Sequence, residues 1–449
     1  MIRLQLSDLA ACLGCPMPAN DVAVENIATD SRRVHHATLF AALPGNNVDG
    51  HDFAASAVDL GASALLLSRT LDLDVPQLVV DDVLLALGRI ALLLRERLDP
   101  AVIGITGSNG KTTVKEMVAS ILSTDAAVLA TRGNYNNELG VPLSLFELEA
   151  QHRYAVLEMG ASKAGDIAYL CGIARPDIGL ITNIGPAHLQ GFGTEKGVAL
   201  AKGEMYSALP ADGCAIINAD EPWADMWREM NSAGRVLSFG SKPECDIQLT
   251  GRDTQPRIRM PGGEFNLRLA LPGLHNQMNA AAAAAVAVSL GIDTGAIEQG
   301  LQAVKPVPGR LNLIRTTAGW KVIDDTYNAN PASLYSALQV LAQMQGTPWL
   351  VLGDMKELGH DSRKMHREVG EAAKAMGVGR LFTTGELSRF TAEAFGEGAE
   401  HFEDRGELAK ALLSQLRPGT TCLVKGSRSM GMEAIVQAIT DADGMREAS

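Results

Sequence analysis

The chain has 449 residues, which corresponds to about three domains at the usual size of ~100 to 200 residues each. Hydrophobic residues make up 46% and charged residues 20%, so the composition is that of a folded chain and not of a disordered one. The formal net charge of −13 argues against a surface made for general adhesion to nucleic acid or to anionic membranes. An anionic substrate would therefore need a local basic pocket.

The first residues and the cysteines bear on the compartment. Residues 1–5 lack a basic stretch followed by an apolar run, and no apolar run of the chain approaches the ~18 residues of a membrane span. The six cysteines are dispersed, which favours reduced thiols. We therefore expect a cytoplasmic chain without membrane insertion. Cys12 and Cys15 form one CxxC pair, and without a second pair this spacing favours two buried small residues over a metal site.

The first segment, residues 1–82, alternates short apolar runs with turns rich in Gly and Asp. The runs at 38–43 and 64–67 predict strands of a small α/β domain.

The second segment, residues 83–308, begins with a leucine-rich helix predicted over 84–98 and a buried strand predicted over 101–106. Apolar residues at helical spacing, from Val114 to Leu122, predict an amphipathic helix after the next turn. Further strands are predicted over 154–157, 178–182 and 215–217, and each is followed by or ends in a polar residue. This alternation predicts a parallel sheet with its ligands at the carboxyl ends of the strands.

The end of the second segment and the third segment complete the fold prediction. Alternating apolar residues over 265–271, after two glycines, predict a β-hairpin, and the alanine-rich run 280–288 predicts a packed helix. Two prolines and a glycine within 305–310 mark a hinge. The third segment, 309–449, has strands predicted over 321–324, 349–352, 380–384 and 421–424, alternating with helices. The expected fold class is α/β with three domains: a small N-terminal α/β domain, a central P-loop ATPase-like parallel sheet and a C-terminal Rossmann-like domain.

A phosphate-binding loop is the strongest single motif. It follows the strand at 101–106 and consists of Gly107, Ser108, Asn109, Gly110, Lys111, Thr112 and Thr113. Glycines let backbone N–H groups fold around phosphate oxygens, Lys111 can reach the β- and γ-phosphates, and Thr112 can ligate Mg²⁺. The loop is shorter than the usual eight-residue pattern, whose first glycine would fall at Ile105. No Asn is followed by Lys, so a guanine-reading N-K-x-D is absent and adenine is favoured.

Two further residues, Glu158 and His188, point to magnesium chemistry. Glu158 ends a predicted strand, where a carboxylate can hold Mg²⁺ beside the phosphates. His188 lies on a turn after the next strand, one strand away from the phosphate loop. On spacing alone, Lys202 is expected instead on a solvated helix face, where Glu195, Lys196 and Glu204 form an ordinary charged surface.

Taken together, these motifs resemble the Mur ligase family across essentially the whole chain, and within it the MurF type. Two strings separate this type from its relatives, DDTYNANP at 324–331 and LGDMKELG at 352–359. The other matching stretches are 30–32, 49–51, 107–113, 133–137, 140–142, 158–160, 182–193, 201–204, 275–276, 309–310 and 425–428.

The resemblance implies a reaction and its cofactors. The activity would be an ATP-dependent ligation of D-alanyl-D-alanine to UDP-N-acetylmuramoyl-tripeptide through an acyl phosphate, a step of peptidoglycan synthesis, with ATP and Mg²⁺ required. The resemblance also implies a partner set of these small molecules alone, with no nucleic acid, and we expect a monomer. No motif distinguishes diaminopimelate from lysine as the third residue of the tripeptide.

The resemblance also assigns roles to individual residues. The catalytic set would be Lys111, His188, Lys202 and Arg310, with Arg310 at the hinge on which the domains close. The metal set would be Thr112, Glu158, His188 and a carbamylated Lys202. Besides the phosphate loop, the nucleotide contacts would be Asn276, Arg310, Asp325, Tyr327 and Asn330. The contacts to the UDP substrate would be Ser31, Arg32, Asn134 and Asn137.

Three alternatives stay open at this point. Another Mur ligase or a ligase similar to folylpolyglutamate synthetase would share the phosphate loop but not DDTYNANP. A P-loop nucleotide switch without ligase chemistry would bind or hydrolyse ATP regardless of amino-acid substrates. The asparagines assigned to ligands, together with Asn328 and Asp325, could also satisfy loop backbone without any ligand.

Overall fold

The computed structural model describes residues 1–45, 48–186, 189–251 and 255–447. Within these residues the chain forms three main β-sheets and one two-stranded ribbon, with helices between the strands. No helix in this described part is both long and apolar enough to cross a membrane.

The first part of the chain is a four-stranded parallel sheet with short helices. The sheet is formed by β3 (Asn26–Ala28), β4 (Thr38–Ala41), β5 (Ala62–Leu67) and β6 (Gln77–Val79). Two further strands, β1 (Leu4–Gln5) and β2 (Ala23–Val24), lie outside it, and the helices are α1 (Leu6–Leu13) and α2 (Ala54–Asp59). Strands β3 to β6 pair in chain order and in parallel, while β1 and β2 form the antiparallel ribbon. The loops after β3, β4 and β5 therefore meet at one edge of this sheet.

The central part contains a mixed sheet of nine strands among the described residues. Its strands are β7 (Ala101–Thr106), β8 (Ala127–Ala130), β9 (His152–Glu158), β10 (Ile178–Ile181), β11 (Cys214–Asn218), β12 (Arg235–Gly240), β13 (Ile247–Thr250), β14 (Arg257–Met260) and β15 (Gly263–Asn266). Its helices are α3 (Val83–Leu98), α4 (Lys111–Leu122), α5 (Gly140–Leu145), α6 (Asp166–Ala174), α7 (Leu189–Phe192), α8 (Glu195–Ser207), α9 (Ala224–Met230), α10 (Leu274–Ser289) and α11 (Thr294–Ala303).

The order of the central sheet is β15-β14-β13-β12-β11-β10-β7-β9-β8, and it is parallel from β8 through β13. The predicted strands and the helix before them are confirmed within one or two residues. The hairpin β14–β15 is confirmed as well, but its strand ends at Asn266 and does not continue to Leu271 as the alternation predicted. Leu267 and Leu271 are buried in the core under α10, so their alternation reflects packing rather than strand pairing.

Two apolar cores cover the two faces of the central sheet. One lies under α4 and α10, where the alanines of α10 from Ala280 to Ala287 are almost completely buried. Their small side chains let α10 approach α4 closely. The other core joins α1 of the first part to α3, α5 and α6 of the central part. The phosphate-loop helix α4 is thereby held on rigid neighbours.

The third part is a six-stranded sheet in the order β16-β17-β21-β18-β19-β20, where β16 is antiparallel and the others are parallel. Its strands are β16 (Asn312–Arg315), β17 (Lys321–Asp325), β18 (Thr347–Gly353), β19 (Arg380–Thr384), β20 (Ala399–Phe402) and β21 (Thr420–Lys425). Its helices are α12 (Pro331–Gln343), α13 (Ser362–Ala375), α14 (Ser388–Phe395), α15 (Arg405–Gln415) and α16 (Glu433–Glu447). The four strands predicted here are confirmed, whereas the edge strands β16 and β20 were not predicted.

The cysteine pair is half-buried and reduced rather than fully buried. Cys12 and Cys15 contact the backbone carbonyls of Arg89 and Val79 through their sulfur atoms. Among the described residues no group of three or more His, Cys, Asp or Glu could hold a metal ion by itself.

A pair of glycines tests the packing of α11 on α4. A Cβ at Gly300 of α11 would lie 2.4 Å from the Cα of Ile121, whereas a Cβ at the exposed Gly172 of α6 would meet nothing within 4 Å. We expect Gly300→Ala to lower the free energy of unfolding by about 1 to 3 kcal/mol through overpacking. The matched Gly172→Ala should raise it by up to ~1 kcal/mol through helix propensity. Urea unfolding followed by circular dichroism measures both, and equal midpoints would contradict the packing of α11 on α4.

Candidate active site

A cavity of about 530 Å³ lies between the central and third parts of the chain. It is lined by residues from both. The predicted site residues in its wall are Gly107, Ser108, Asn109, Gly110, Lys111, Thr112, Thr113, Asn137, Glu158, Lys202, Asn276, Arg310, Asp325, Tyr327 and Asn330. The carboxyl ends of β7, β9, β17 and β21 thus point to one place, as parallel sheets dictate.

The phosphate loop needs its glycines for two reasons. Gly107 and Gly110 have φ of +148° and +81°, in the region that favours glycine. A Cβ would lie 1.9 Å from the Thr182 hydroxyl at Gly107, and 2.6 Å from Oδ1 of Asn279 at Gly110. Helix α4 begins directly after Gly110, at Lys111. The loop therefore presents the N-terminus of a helix to the cavity, an arrangement suited to phosphate.

Lys111 is folded over this loop. Its Nζ donates a hydrogen bond to the carbonyl of Gly107 at 2.8 Å. Burial lowers the pKa of Lys111, the nearby Arg310 lowers it further, and Glu158 opposes both. A lysine in this place supplies a flexible cation to whatever anion occupies the loop.

A chain of hydrogen bonds links the third part of the molecule to the loop. Arg310 donates from Nη2 to the hydroxyl of Thr112 at 2.8 Å, and that hydroxyl donates to Oε2 of Glu158 at 2.7 Å. The other carboxylate oxygen, Oε1, accepts a hydrogen bond from Nδ2 of Asn136 at 2.8 Å. The guanidinium of Arg310 also lies 4.1 Å from the centre of the Tyr327 ring. Its Nε is buried and has no partner among the described residues, so it can donate to a bound ligand.

The donor set around Thr112 fits a magnesium ion. The Thr112 hydroxyl and the buried Glu158 carboxylate are oxygen ligands, and Mg²⁺ is commonly held by one or two carboxylates together with phosphate oxygens and water. His188, the third predicted metal ligand, lies outside the described residues.

Lys202 is buried, which corrects the expectation of a solvated helix face. It lies in α8 with only 2% of its surface exposed, and it lines the cavity. Burial lowers its pKa well below the ordinary value, and the charge of Lys111 adds to this shift. The spacing of the charged residues does not show which side of α8 each lysine occupies. Lys196 is exposed as expected, whereas Lys202 faces inward.

Asn276 lies at the start of α10, in the opposite wall of the cavity. Its Nδ2 donates to the Pro272 carbonyl at 2.7 Å, and its Oδ1 accepts from Asn279 at 3.2 Å. These two bonds fix the orientation of the Asn276 amide. Beside it, burial and the charge of Lys425 lower the pKa of His275 to about 4, so this imidazole is neutral at pH 7.

The residues from the third part are held by their own network. Asp325 accepts from Nζ of Lys425 at 2.5 Å and from the backbone N–H of Leu311 at 3.2 Å. Leu311 follows Arg310 and has φ of +49°, which that hydrogen bond helps to hold. Asn330 caps α12 and also donates to Oδ1 of Asn109 in the phosphate loop at 2.8 Å.

Comparison with known proteins agrees with this architecture. Sequence models match over three ranges, the Mur ligase family catalytic domain at 23–92, the Mur ligase middle domain at 105–287 and the Mur ligase glutamate ligase domain at 309–428. The UDP-N-acetylmuramoyl-tripeptide--D-alanyl-D-alanine ligase of Escherichia coli (strain K12) is 43% identical over 98% of this chain and 99% of its own. The chain belongs to the Mur ligase family.

Solved Mur ligases have the same fold. MurF from Acinetobacter baumannii superposes with a TM-score of 0.91 at 34% identity, covering 98% of this chain and 99% of its own. MurF ligase from Thermotoga maritima, solved in complex with ADP, superposes with a TM-score of 0.85 at 29% identity, covering 94% and 98%. The three-domain α/β fold expected from the sequence is confirmed.

Three predicted substrate contacts of this Mur ligase lie away from the cavity wall. Asn134 is exposed on the loop after β8. Ser31 and Arg32 lie after β3 in the first part, where the exposed Arg32 pairs with Asp30 at 2.7 Å. Asn137 does line the cavity, and its Oδ1 accepts from the N–H of Gly140.

Several cavity residues of this Mur ligase were not predicted as site residues. Asn136, His275, Asn279 and Lys425 all line the cavity. Asn136, His275 and Lys425 fall within matched motifs, so the motif matches were available as a signal, but the sequence does not show which side chains of a motif converge. Asn183 also lines the cavity and was likewise not predicted as a site residue. Its Oδ1 accepts from the N–H of Asn109 at 3.0 Å, so it braces the phosphate loop.

Proposed function

We propose that the protein is an ATP-dependent ligase that joins D-alanyl-D-alanine to UDP-N-acetylmuramoyl-tripeptide, with release of ADP and phosphate. The observation that carries this proposal is a phosphate loop in a cavity between two domains, in a chain that matches ligases of this name over nearly its full length. The ADP complex of the Thermotoga maritima relative supports adenine nucleotide as the energy source.

The proposed reaction runs in two steps. The terminal carboxylate of the tripeptide attacks the γ-phosphorus of ATP, which forms an acyl phosphate and releases ADP. The amine of D-alanyl-D-alanine then attacks the acyl carbon, phosphate leaves, and the amine loses a proton as the amide forms. Lys111 and Arg310 are the cations that would offset the charge developing on the transferred phosphoryl group. Neither step needs a side-chain nucleophile.

Water exclusion is the second task of the protein, because an acyl phosphate hydrolyses readily. The hydrogen bonds from Arg310 to Thr112 and from Asn330 to Asn109 join the third part to the phosphate loop and close this side of the cavity. This closure supports a hinge at Arg310 on which the domains open and shut.

Magnesium and a modified lysine belong to the proposal. Thr112, Glu158 and His188 would hold Mg²⁺, which when bound neutralises phosphate charge. We also propose Lys202 as a carbamate that completes the metal set. The lowered pKa of the buried Lys202 supports this, because only the unprotonated amine reacts with CO₂.

The substrates would occupy different domains. The division into 1–82, 83–308 and 309–449 is supported by the three separate sheets. Ser31 and Arg32 follow a strand at the ligand edge of the first sheet, where the UDP end would bind. Asn134 and Asn137 would contact the rest of that substrate. D-alanyl-D-alanine would bind to the third domain.

The nucleotide would lie in the cavity. Asn276, whose amide orientation is fixed, would contact adenine, and Asp325, Tyr327 and Asn330 would contact the remainder of the nucleotide from the third domain. The proposal further places the protein in the cytoplasm as a monomer with these small molecules as its only partners.

The proposed function predicts a strict requirement for every substrate. Phosphate release should be at background level unless UDP-N-acetylmuramoyl-tripeptide, D-alanyl-D-alanine, ATP and Mg²⁺ are all present, because the acyl phosphate is shielded until the amine arrives. A coupled phosphate assay with each component omitted in turn measures this. Steady phosphate release without the dipeptide would instead support a nucleotide switch or simple ATPase.

A further inference from the structure

Asn136 is a cavity residue to which no role has been assigned so far. It lies in the loop between β8 and α5, half-buried, with its carboxamide pointing at the carboxylate of Glu158. Because a carboxylate only accepts hydrogen bonds, the contact at 2.8 Å fixes Nδ2 of Asn136 as the donor.

The Glu158 carboxylate is held at both oxygens by groups from different parts of the chain. Thr112 donates to Oε2 from the start of α4, and Asn136 donates to Oε1 from the loop after β8. The backbone N–H of Glu158 donates to the buried Thr131 hydroxyl at 3.0 Å. Two contacts therefore hold the Glu158 carboxylate and a third holds its backbone, and of the two carboxylate partners Thr112 is itself a proposed metal ligand.

Asn136 is itself built firmly into the fold. Its backbone carbonyl accepts from the N–H of Gly160 at 2.7 Å, which ties its loop to the end of β9. A Cβ at Gly160 would lie 3.2 Å from Cγ of Asn136, so the absence of a side chain there leaves room for the carboxamide. An amide held in this way can orient Glu158 at little cost in side-chain entropy.

We infer that Asn136 is a positioning residue for the metal: its amide aims the Glu158 carboxylate toward the ion that accompanies ATP. This inference rests on the proposed function. Asn136 occupies one lone pair of Oε1, so Glu158 is pre-oriented before the ion arrives. Its own loop also carries Asn134 and Asn137, the proposed contacts to the UDP substrate.

A thermodynamic cycle isolates this role from general effects on folding or nucleotide affinity. The dissociation constant of a non-hydrolysable ATP analogue is measured by calorimetry with EDTA and again with Mg²⁺. The EDTA value divided by the Mg²⁺ value is the ratio that reports the contribution of the metal alone. Asn136→Leu keeps the side-chain volume and removes the donor. We expect the ratio to fall by roughly 10- to 100-fold, the usual effect of losing a partner of a metal ligand, and the affinity in EDTA to stay within about twofold.

Two further variants complete the experiment. Asn136→Ala should give the same loss of metal dependence if Leu is not accommodated, and thermal unfolding shows whether each variant is folded. Tyr135→Ala, on an exposed side chain of the same loop, is the matched control and should leave the ratio unchanged.

The outcomes separate this inference from the proposed function. If the wild-type ratio persists in both Asn136 variants, or if affinity falls equally with Mg²⁺ and with EDTA, Asn136 does not position a metal ligand and the inference is overturned. If the wild-type protein binds no nucleotide at all, the proposed function fails and this inference fails with it.

Discussion

Replacing Lys111 by alanine is expected to lower kcat/KM for ATP by at least about a thousandfold, or roughly 4 kcal/mol of transition-state stabilisation. Lys111 is the only cation of the phosphate loop itself, and its Nζ already lies over the loop at the Gly107 carbonyl. The other cation that the proposed mechanism uses, Arg310, comes from the third part of the chain. Steady-state phosphate release with all substrates present measures the effect.

The control for this substitution is Lys410→Ala, which removes an exposed lysine of α15 and should leave turnover unchanged. Thermal unfolding should show that Lys111→Ala is folded, because its side chain faces the cavity rather than a core. A folded Lys111→Ala protein with wild-type turnover would show that the loop at 107–113 does not hold the reacting phosphate.

The parts of the fold that depend on local pattern could be predicted from the sequence. The buried strand at 101–106 and the amphipathic helix after the glycine turn follow from apolar spacing; the structure has β7 at the predicted residues, and α4 begins three residues before Val114 and ends at Leu122 as the pattern does. The local cations that an anionic substrate would need in this acidic chain are also present, since Lys111 and Arg310 line one cavity.

The parts that depend on tertiary contact could not be predicted in the same way. Lys202 is buried because α8 packs closely against its neighbours; a Cβ at the adjacent Gly203, for example, would lie 2.7 Å from the Met230 side chain of α9. The pairing of Asp325 with Lys425 joins positions 100 residues apart, and no spacing rule connects them. Side chains that orient other side chains, such as Asn136, carry no pattern of their own.

Lys202→Met is expected to reduce turnover to background, because neither a carbamate nor an amine is then available to the metal site. The matched control is Lys196→Ala, which removes an exposed lysine from the same helix and should leave turnover within about twofold, as surface substitutions usually do. Carbamylation itself can be followed with ¹³C-labelled CO₂ by NMR, where the signal present in wild-type protein should be missing in Lys202→Met and retained in Lys196→Ala.

The same variant should gain stability, and the gain should depend on pH. In buffer freed of CO₂, Lys202 is an amine, and burial holds its pKa in the folded chain well below the ordinary value of 10.5 that applies to the unfolded chain. At any pH between the folded and the unfolded pKa, the unfolded chain therefore binds a proton that the folded chain does not. The free energy of unfolding of the wild type must then rise with pH across this window. Methionine carries no charge to desolvate, so Lys202→Met should be the more stable protein at pH 7, and its advantage should narrow as the pH approaches 10.5.

Urea unfolding of both proteins at several pH values measures this difference. The prediction is contradicted if the difference in free energy of unfolding stays constant over this pH range, or if the Met variant is the less stable protein. Either result would mean that burying the amine does not destabilise the wild type, which would then tolerate Lys202 in its charged form.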